Sequence, residues 1–254
     1  MAEPGPRRAE VERLADYYAL QLDFAHAVAR RADLPLGEAT RRFTNLHRRL
    51  ALGEVAEAPG AGWLAFAGGL DAARHPRDRL AWTLVALAAA PDEPPLAGQV
   101  RFGCFALEPR SDGVVRIHFN NREASTTEGG PLSRARMAAR RAELTAMFAH
   151  LQRRHPEAAE VHGASWLYHT EAYRRLFPAD YTARPVTAEV VRLTGTSSWG
   201  QFLTHAGGVK PELREAFRAR FDEIAPEAPW RIFPLRPLLV SAPVESFYRH
   251  FGLD

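Results

Sequence analysis

Hydrophobic positions recur along this chain with two different periods, and the change between them lays out its elements. Over residues 8–31, Leu14, Tyr17, Tyr18, Leu20, Leu22 and Phe24 alternate with charges at roughly helical spacing, which predicts a helix. Leu34-Pro35 breaks it, because proline lacks the N–H that a helix interior needs. GEATRRFTNLHRRLAL (37–52) then places Ala39, Phe43, Leu46 and Leu50 on one face of a second helix. EVAEAPGAG (54–62), rich in Pro, Gly and small residues, reads as a linker. The expected organisation is a helical segment over 1–58 and a main domain over 59–254. Residues 61–75 carry no decisive period, RDRLAWTLVALAAA (77–90) has a helical composition, and PDEPP (91–95) reads as a loop.

From Gln99 the period falls to two. QVRFGCFALEP (99–109) and GVVRIHFNN (113–121) flank the turn RSDG, and each reads as a strand. In the first, Val100, Phe102 and Cys104 oppose Arg101, Gly103 and Phe105; in the second, Val115, Ile117 and Phe119 oppose Arg116, His118 and Asn120. A polar loop, NREASTTEGGPLS, leads into a helix over 132–154 with Ser133 or Thr127 as its cap. Leu144, Met147, Phe148 and Leu151 form that helix's core stripe, and Pro156 ends it. AEVHGASWLY reads as a strand and HTEAYRRLFPADY as a short helix. Further on, TAEVVRLT (187–194) predicts a strand, TSSWGQFLTHAGG and KPELREAFRARFDEIAP helices, and APVESFYRHFGLD a closing helix. IFPLRPLLVS (232–241), interrupted by proline, predicts an edge strand. The order defines an α/β (α+β) class: a mixed sheet with flanking helices, an N-terminal helical pair, a C-terminal extension, and a crevice at the strand ends.

Composition narrows the partners. At 254 residues, 46% apolar and 25% charged, the chain has the make-up of a soluble globular protein that buries a full core. Its formal charge is only +3, and Arg and Glu are interspersed, so no basic face for nucleic acid is expected. Lys210 is the sole lysine; the arginines suit an anionic ligand. The single cysteine, Cys104, excludes an internal disulfide, reads as a small buried apolar residue, and fits a reducing cytoplasm. The longest apolar run, LAWTLVALAAAP, is too short to span a bilayer, and MAEPGPRRAEVERLADYYAL lacks the apolar core of a signal peptide. The composition therefore predicts a cytoplasmic protein acting on neither nucleic acid nor membrane.

The 99–194 run resembles the GNAT-like acyltransferase fold, in which a hairpin of central strands feeds a long helix, a strand, and a helix carrying an aromatic. HTEAYRRLFPADY is the nearest match to that last helix, and SFYRHFGL matches its form about as well. More narrowly, HFNN, GGPLS, GASWLY and YRRLFP, in that order, look like the C-terminal half of a bacterial acyltransferase family with a GNAT-like domain. The resemblance implies transfer of an acyl group from coenzyme A to an amine or hydroxyl of a small-molecule substrate. It implies Tyr248 or Tyr173 as the acid that protonates the leaving thiolate. Gly129, Gly130, Arg134 and Arg136 would meet the cofactor's phosphates. One departure is plain: where such enzymes open the long helix with R/Q-x-x-G-x-G/A, this chain has TTEGGPLSRAR, and Pro131 removes one N–H donor. That departure favours the alternative, a non-catalytic GNAT-like fold that binds a small molecule or a partner protein.

Other candidates come from the residues themselves. His118, opposite the core-facing positions, suits a general base because its ordinary pKa lies near neutrality. Ser165 sits just past a strand end, where ligands of α/β sheets collect, and Trp166 and Tyr168 would line a pocket there. GASW is not G-x-S-x-G, so a hydrolase reading of Ser165 lacks the nucleophile elbow. Trp199, Gln201 and His205 are candidates to face a ligand, against a purely structural role in a capped helix. His162 and His169, seven apart, match no metal spacing, and no metal is expected.

Overall fold

The computed structural model describes residues 6–53, 55, 58–92, 98–121 and 129–253. In chain order it forms α1 (Pro6–Arg13), α2 (Ala15–Ala32), α3 (Leu36–Phe43), α4 (Leu46–Arg49), α5 (Ala61–Ala72) and α6 (Pro76–Ala89). There follow β1 (Val100–Phe102), β2 (Phe105–Pro109), β3 (Val114–Phe119), α7 (Met137–Arg154) and β4 (Glu160–Ser165). The remainder comprises α8 (Glu171–Arg174), α9 (Ala179–Thr182), β5 (Val186–Thr187), α10 (Thr196–Trp199), α11 (Pro211–Arg218), β6 (Leu238–Pro243) and α12 (Val244–Phe251). Among the described residues no helix is long and apolar enough to cross a membrane.

The chain divides into two units: Met1–Pro94 with Val190–Pro234, and Pro95–Glu189 with Leu235–Asp254. The division falls after Pro94, not at the expected 58/59, because α5 and α6 pack with α1, α2 and α3. The ambiguous 61–75 stretch is largely helix α5, burying Trp63, Phe66 and Leu70.

In the helical unit, α2 carries the stripe that organises the core: Tyr17, Leu20, Phe24, Ala25 and Val28 are all essentially inaccessible. Phe24 stands 5.2 Å from Phe217, which lies 4.6 Å from Phe233 and 4.8 Å from Phe202, and Trp199 closes the cluster 5.0 Å from Phe233. Buried polar groups there are bonded in part: Asn45 donates its backbone N–H to Gln21 Oε1 at 2.9 Å and its amide to the Tyr17 hydroxyl at 2.8 Å. Unpaired, each would cost about 1–3 kcal/mol.

The second unit is a six-stranded mixed sheet in the order β1-β2-β3-β4-β6-β5. All neighbours are antiparallel except β3 and β4, which are parallel and joined by the crossover helix α7. The core lies on one face. Phe105, Leu107, Val115, Ile117 and Val161 meet Leu144, Met147, Phe148 and Leu151 of α7, the stripe expected from the sequence. The α12 rings of Phe247 and Phe251 stack on Phe148 at 4.6 Å and 5.3 Å. Thus the α+β class with flanking helices holds.

Several local expectations are corrected. The 99–109 run is two strands: Gly103 takes φ +59 and turns the chain, so Phe102 pairs with Phe105. A Cβ at Gly103 would overlap the Glu143 side chain, whose Oε2 accepts the Cys104 N–H at 3.1 Å. TAEVVRLT is strand only at its start; Val190 is exposed beyond β5. β6 is interior, flanked by β4 and β5, because Pro234 and Pro237 precede it and leave its ladder intact. The helices expected over 8–31, 37–52 and 210–226 each break, the first at Leu14 and the others after Phe43 and Arg218. Thr127 as a cap, and parts of the 54–62 and 91–95 loops, lie outside the described residues.

Candidate functional site

The parallel pair sets the site. β3 and β4 share only three register pairs, Val114–Glu160, Val115–Val161 and Arg116–His162. Beyond them β3 continues through Ile117, His118 and Phe119, still paired to β2 on its outer side. β4 continues through Gly163, Ala164 and Ser165, still paired to β6. The ladder between the two therefore ends while both strands run on, leaving a notch at their C-terminal ends. Such ends are where open α/β sheets take ligands.

The face away from the core borders this notch with polar groups. Register places Glu108, Arg116, His162 and Ser241 in one row across β2, β3, β4 and β6, with Arg116 and Ser241 exposed. His118, two residues beyond Arg116 on the same face, lies with Nε2 2.7 Å from Glu108 Oε2. A carboxylate so placed fixes the ring and favours the proton on the nitrogen facing it. Glu108 Oε1 receives Arg110 at 3.3 Å. On β4, His162 Nε2 stands 3.0 Å from Glu160 Oε2. That imidazole and the Ser241 hydroxyl hold the Glu160 carboxyl below the usual carboxylate range.

On the core face the notch is floored by tyrosines. The hydroxyls of Tyr168 and Tyr181 meet at 2.8 Å, and both crowd the position a side chain at Gly163 would take. The Tyr173 ring lies 5.6 Å from Phe119 at the end of β3 and 5.1 Å from Tyr168. All three tyrosines are buried, and loss of solvent pushes their pKa values well up, so they stay protonated and act as donors.

At the start of the crossover, Gly129 adopts φ +89 and the Ser133 N–H is spent on Gly130 O at 2.9 Å. Ser133 Oγ is buried with no hydrogen-bond partner among the described residues. Arg134 is exposed, and Arg136 half-buried, in the helical turn preceding α7. An orphaned hydroxyl beside an arginine is a donor set suited to an oxyanion.

The other expected site residues part company. Ser165 Oγ accepts the Leu167 N–H at 3.1 Å and so caps the turn after β4, which accounts for it structurally. Trp166 is half-buried in that turn. Tyr248 lies on α12, half-buried against the core of the sheet unit. Trp199 and Gln201 belong to the helical unit, fully buried: Trp199 donates to Leu193 O at 2.9 Å and Gln201 to Ser198 O at 2.8 Å. Both side chains are thus engaged inside that unit. His169 donates to Arg236 O at 2.9 Å.

At the notch His118 and Glu108 stand on the polar face, while Tyr168, Tyr173, Tyr181 and Gly163 stand on the core face; Glu108, Gly163 and Tyr181 are residues that the sequence reading passed over. Glu108 was within reach of counting, since three residues bridge Arg110 and Val114 and fix its place beside His118. Gly163 inside a strand signals a close approach.

Fold and site define an α+β protein with a mixed sheet, covered on one face and notched between its parallel strands. The chain matches no family model, no curated protein and no solved structure.

Proposed function

We propose that the sheet unit is a GNAT-like fold and that the notch transfers an acyl group from a coenzyme A-type thioester to an amine or hydroxyl. The supporting observation is the β3–β4 ladder, which stops at Arg116–His162 while both strands continue. In the fold that the sequence resembles, a gap of this kind between parallel strands admits the pantetheine arm.

When bound, the thioester supplies an activated acyl carbonyl. The chain's own residues do the rest. His118, oriented by Glu108, accepts the proton of the attacking amine or hydroxyl. Ser133 and Arg134 hold phosphate. Of the two candidate acids, Tyr173 lies by the end of β3, and its hydroxyl is linked to that of Tyr168 and through it to Tyr181. Tyr173 would give its proton to the departing thiolate as the acyl C–S bond breaks, and the proton taken up by His118 restores the balance.

A second reading is favoured by two observations: Tyr173 is buried and already hydrogen-bonded, and Pro131 denies the loop one donor. On that reading the notch binds a small molecule or partner without turnover. Thermal unfolding with acetyl-, long-chain acyl- and free coenzyme A separates the two. A ligand at about 100 times its Kd adds about 2.7 kcal/mol. Stabilisation together with thiol release in the presence of an amine supports transfer. Stabilisation without release supports binding alone, and no shift with any of the three rejects the coenzyme A reading.

A further inference from the structure

Arg116 occupies the middle of the open face, directly across from Glu108 on β2 and His162 on β4. An arginine opposite a glutamate in an antiparallel pair ordinarily forms the cross-strand ion pair. Here it does not, because the carboxylate is committed elsewhere: Oε2 to His118 at 2.7 Å and Oε1 to Arg110 at 3.3 Å. The nearest carboxylate on the other side, Glu160, is engaged by His162 at 3.0 Å and by Ser241. Among the described residues, Glu108 and Glu160 both have other partners, and the exposed Arg116 guanidinium makes no hydrogen bond or ion pair. Two residues along one strand span roughly 6.7 Å, so this free cation sits one side-chain row from His118 on the same face.

We propose that Arg116 binds the anionic group of the compound whose amine or hydroxyl reacts at His118, and that this acceptor is a small carboxylate- or phosphate-bearing amine or alcohol. The inference rests on the reading of His118 as the reacting group. A planar fork of donors suits either anion, and a cation held this close to the base would orient the nucleophile as well as select it.

The test compares pairs of probes that differ only in the anion: glycine with glycinamide, and O-phosphoethanolamine with ethanolamine. Binding is followed by nuclear magnetic resonance titration of the His118 imidazole in wild type, Arg116→Gln and, as a charge control, Arg153→Gln. Arg153 is exposed on α7, away from the row. The expected result is that one anionic probe binds about tenfold more tightly than its neutral partner, and that Arg116→Gln alone abolishes the difference. Preference for glycine identifies a carboxylate acceptor and preference for O-phosphoethanolamine a phosphate-bearing one. Equal binding within both pairs, discrimination that survives Arg116→Gln, or no binding of any probe overturns the inference. The coenzyme A titration is read separately on the same samples. Thioester binding without anion discrimination removes only the role of Arg116. Anion discrimination without thioester binding removes acyl transfer and leaves an anion site.

Discussion

The Tyr168 and Tyr181 hydroxyls meet 2.8 Å apart over Gly163, so a single missing side chain on β4 makes room for a buried polar pair. Gly163→Ala is expected to push both rings away and to cost about 1–3 kcal/mol, the usual penalty of overpacking. Urea unfolding measures it. In a Tyr168→Phe, Tyr181→Phe background the same substitution should cost less, because the oxygens it strikes are gone. An undiminished cost would show that the crowding arises elsewhere.

Ionisation of the tyrosines should report on the fold. Of six tyrosines, Tyr17, Tyr18, Tyr168, Tyr173 and Tyr181 are buried. Burial pushes the pKa values of Tyr17, Tyr168, Tyr173 and Tyr181 above the ordinary value near 10.0. A folded-state pKa above the unfolded one leaves stability intact below about pH 10, and stability falls as pH climbs from there toward the folded values. Tyrosinate absorbance should therefore rise in one cooperative step together with loss of circular dichroism. Only the half-buried Tyr248 is expected to titrate ahead of it. Gradual titration without unfolding would contradict the burial.

His118 carries the chemistry of the proposed reaction and little of the stability. His118→Ala is expected to lower acyl transfer by about 10²–10⁴-fold. Its half-exposed pair with Glu108 is worth no more than about 1 kcal/mol. Glu108→Gln should reduce the rate in the same direction, with the thioester's KM unchanged. Steady-state kinetics beside thermal unfolding tells loss of a base from loss of fold.

Phe217 is the hub of the aromatic cluster in the helical unit, touching Phe24, Trp199, Phe202 and Phe233. Phe217→Ala should destabilise by about 3–5 kcal/mol. Hydrogen exchange resolves whether protection falls in α2 and 190–234 alone or also in the sheet.

What the sequence disclosed was local. The Leu144–Leu151 stripe and the Val115–Phe119 alternation need only their own period, and both landed on the core face. The interior place of β6 did not show, because Pro234 and Pro237 look disruptive until register puts them outside the ladder. Trp199 and Gln201 resembled ligand-facing residues because an aromatic beside a glutamine looks the same in a pocket and in a core. In the structure both are buried and hydrogen-bonded, to Leu193 and Ser198. The tyrosine floor was hidden for a related reason: Tyr168 and Tyr181 come together only when the chain after β4 folds back over it.

β6 holds β4 on one side and β5 on the other, yet it comes from the far end of the sequence, after the chain has left to complete a different body and returned. A polypeptide cut short before Leu238 consequently forfeits the seam of its sheet, not a dispensable tail. Until that seam is laid, the inner border of β4 stays bare and open to adhesion by any passing extended segment.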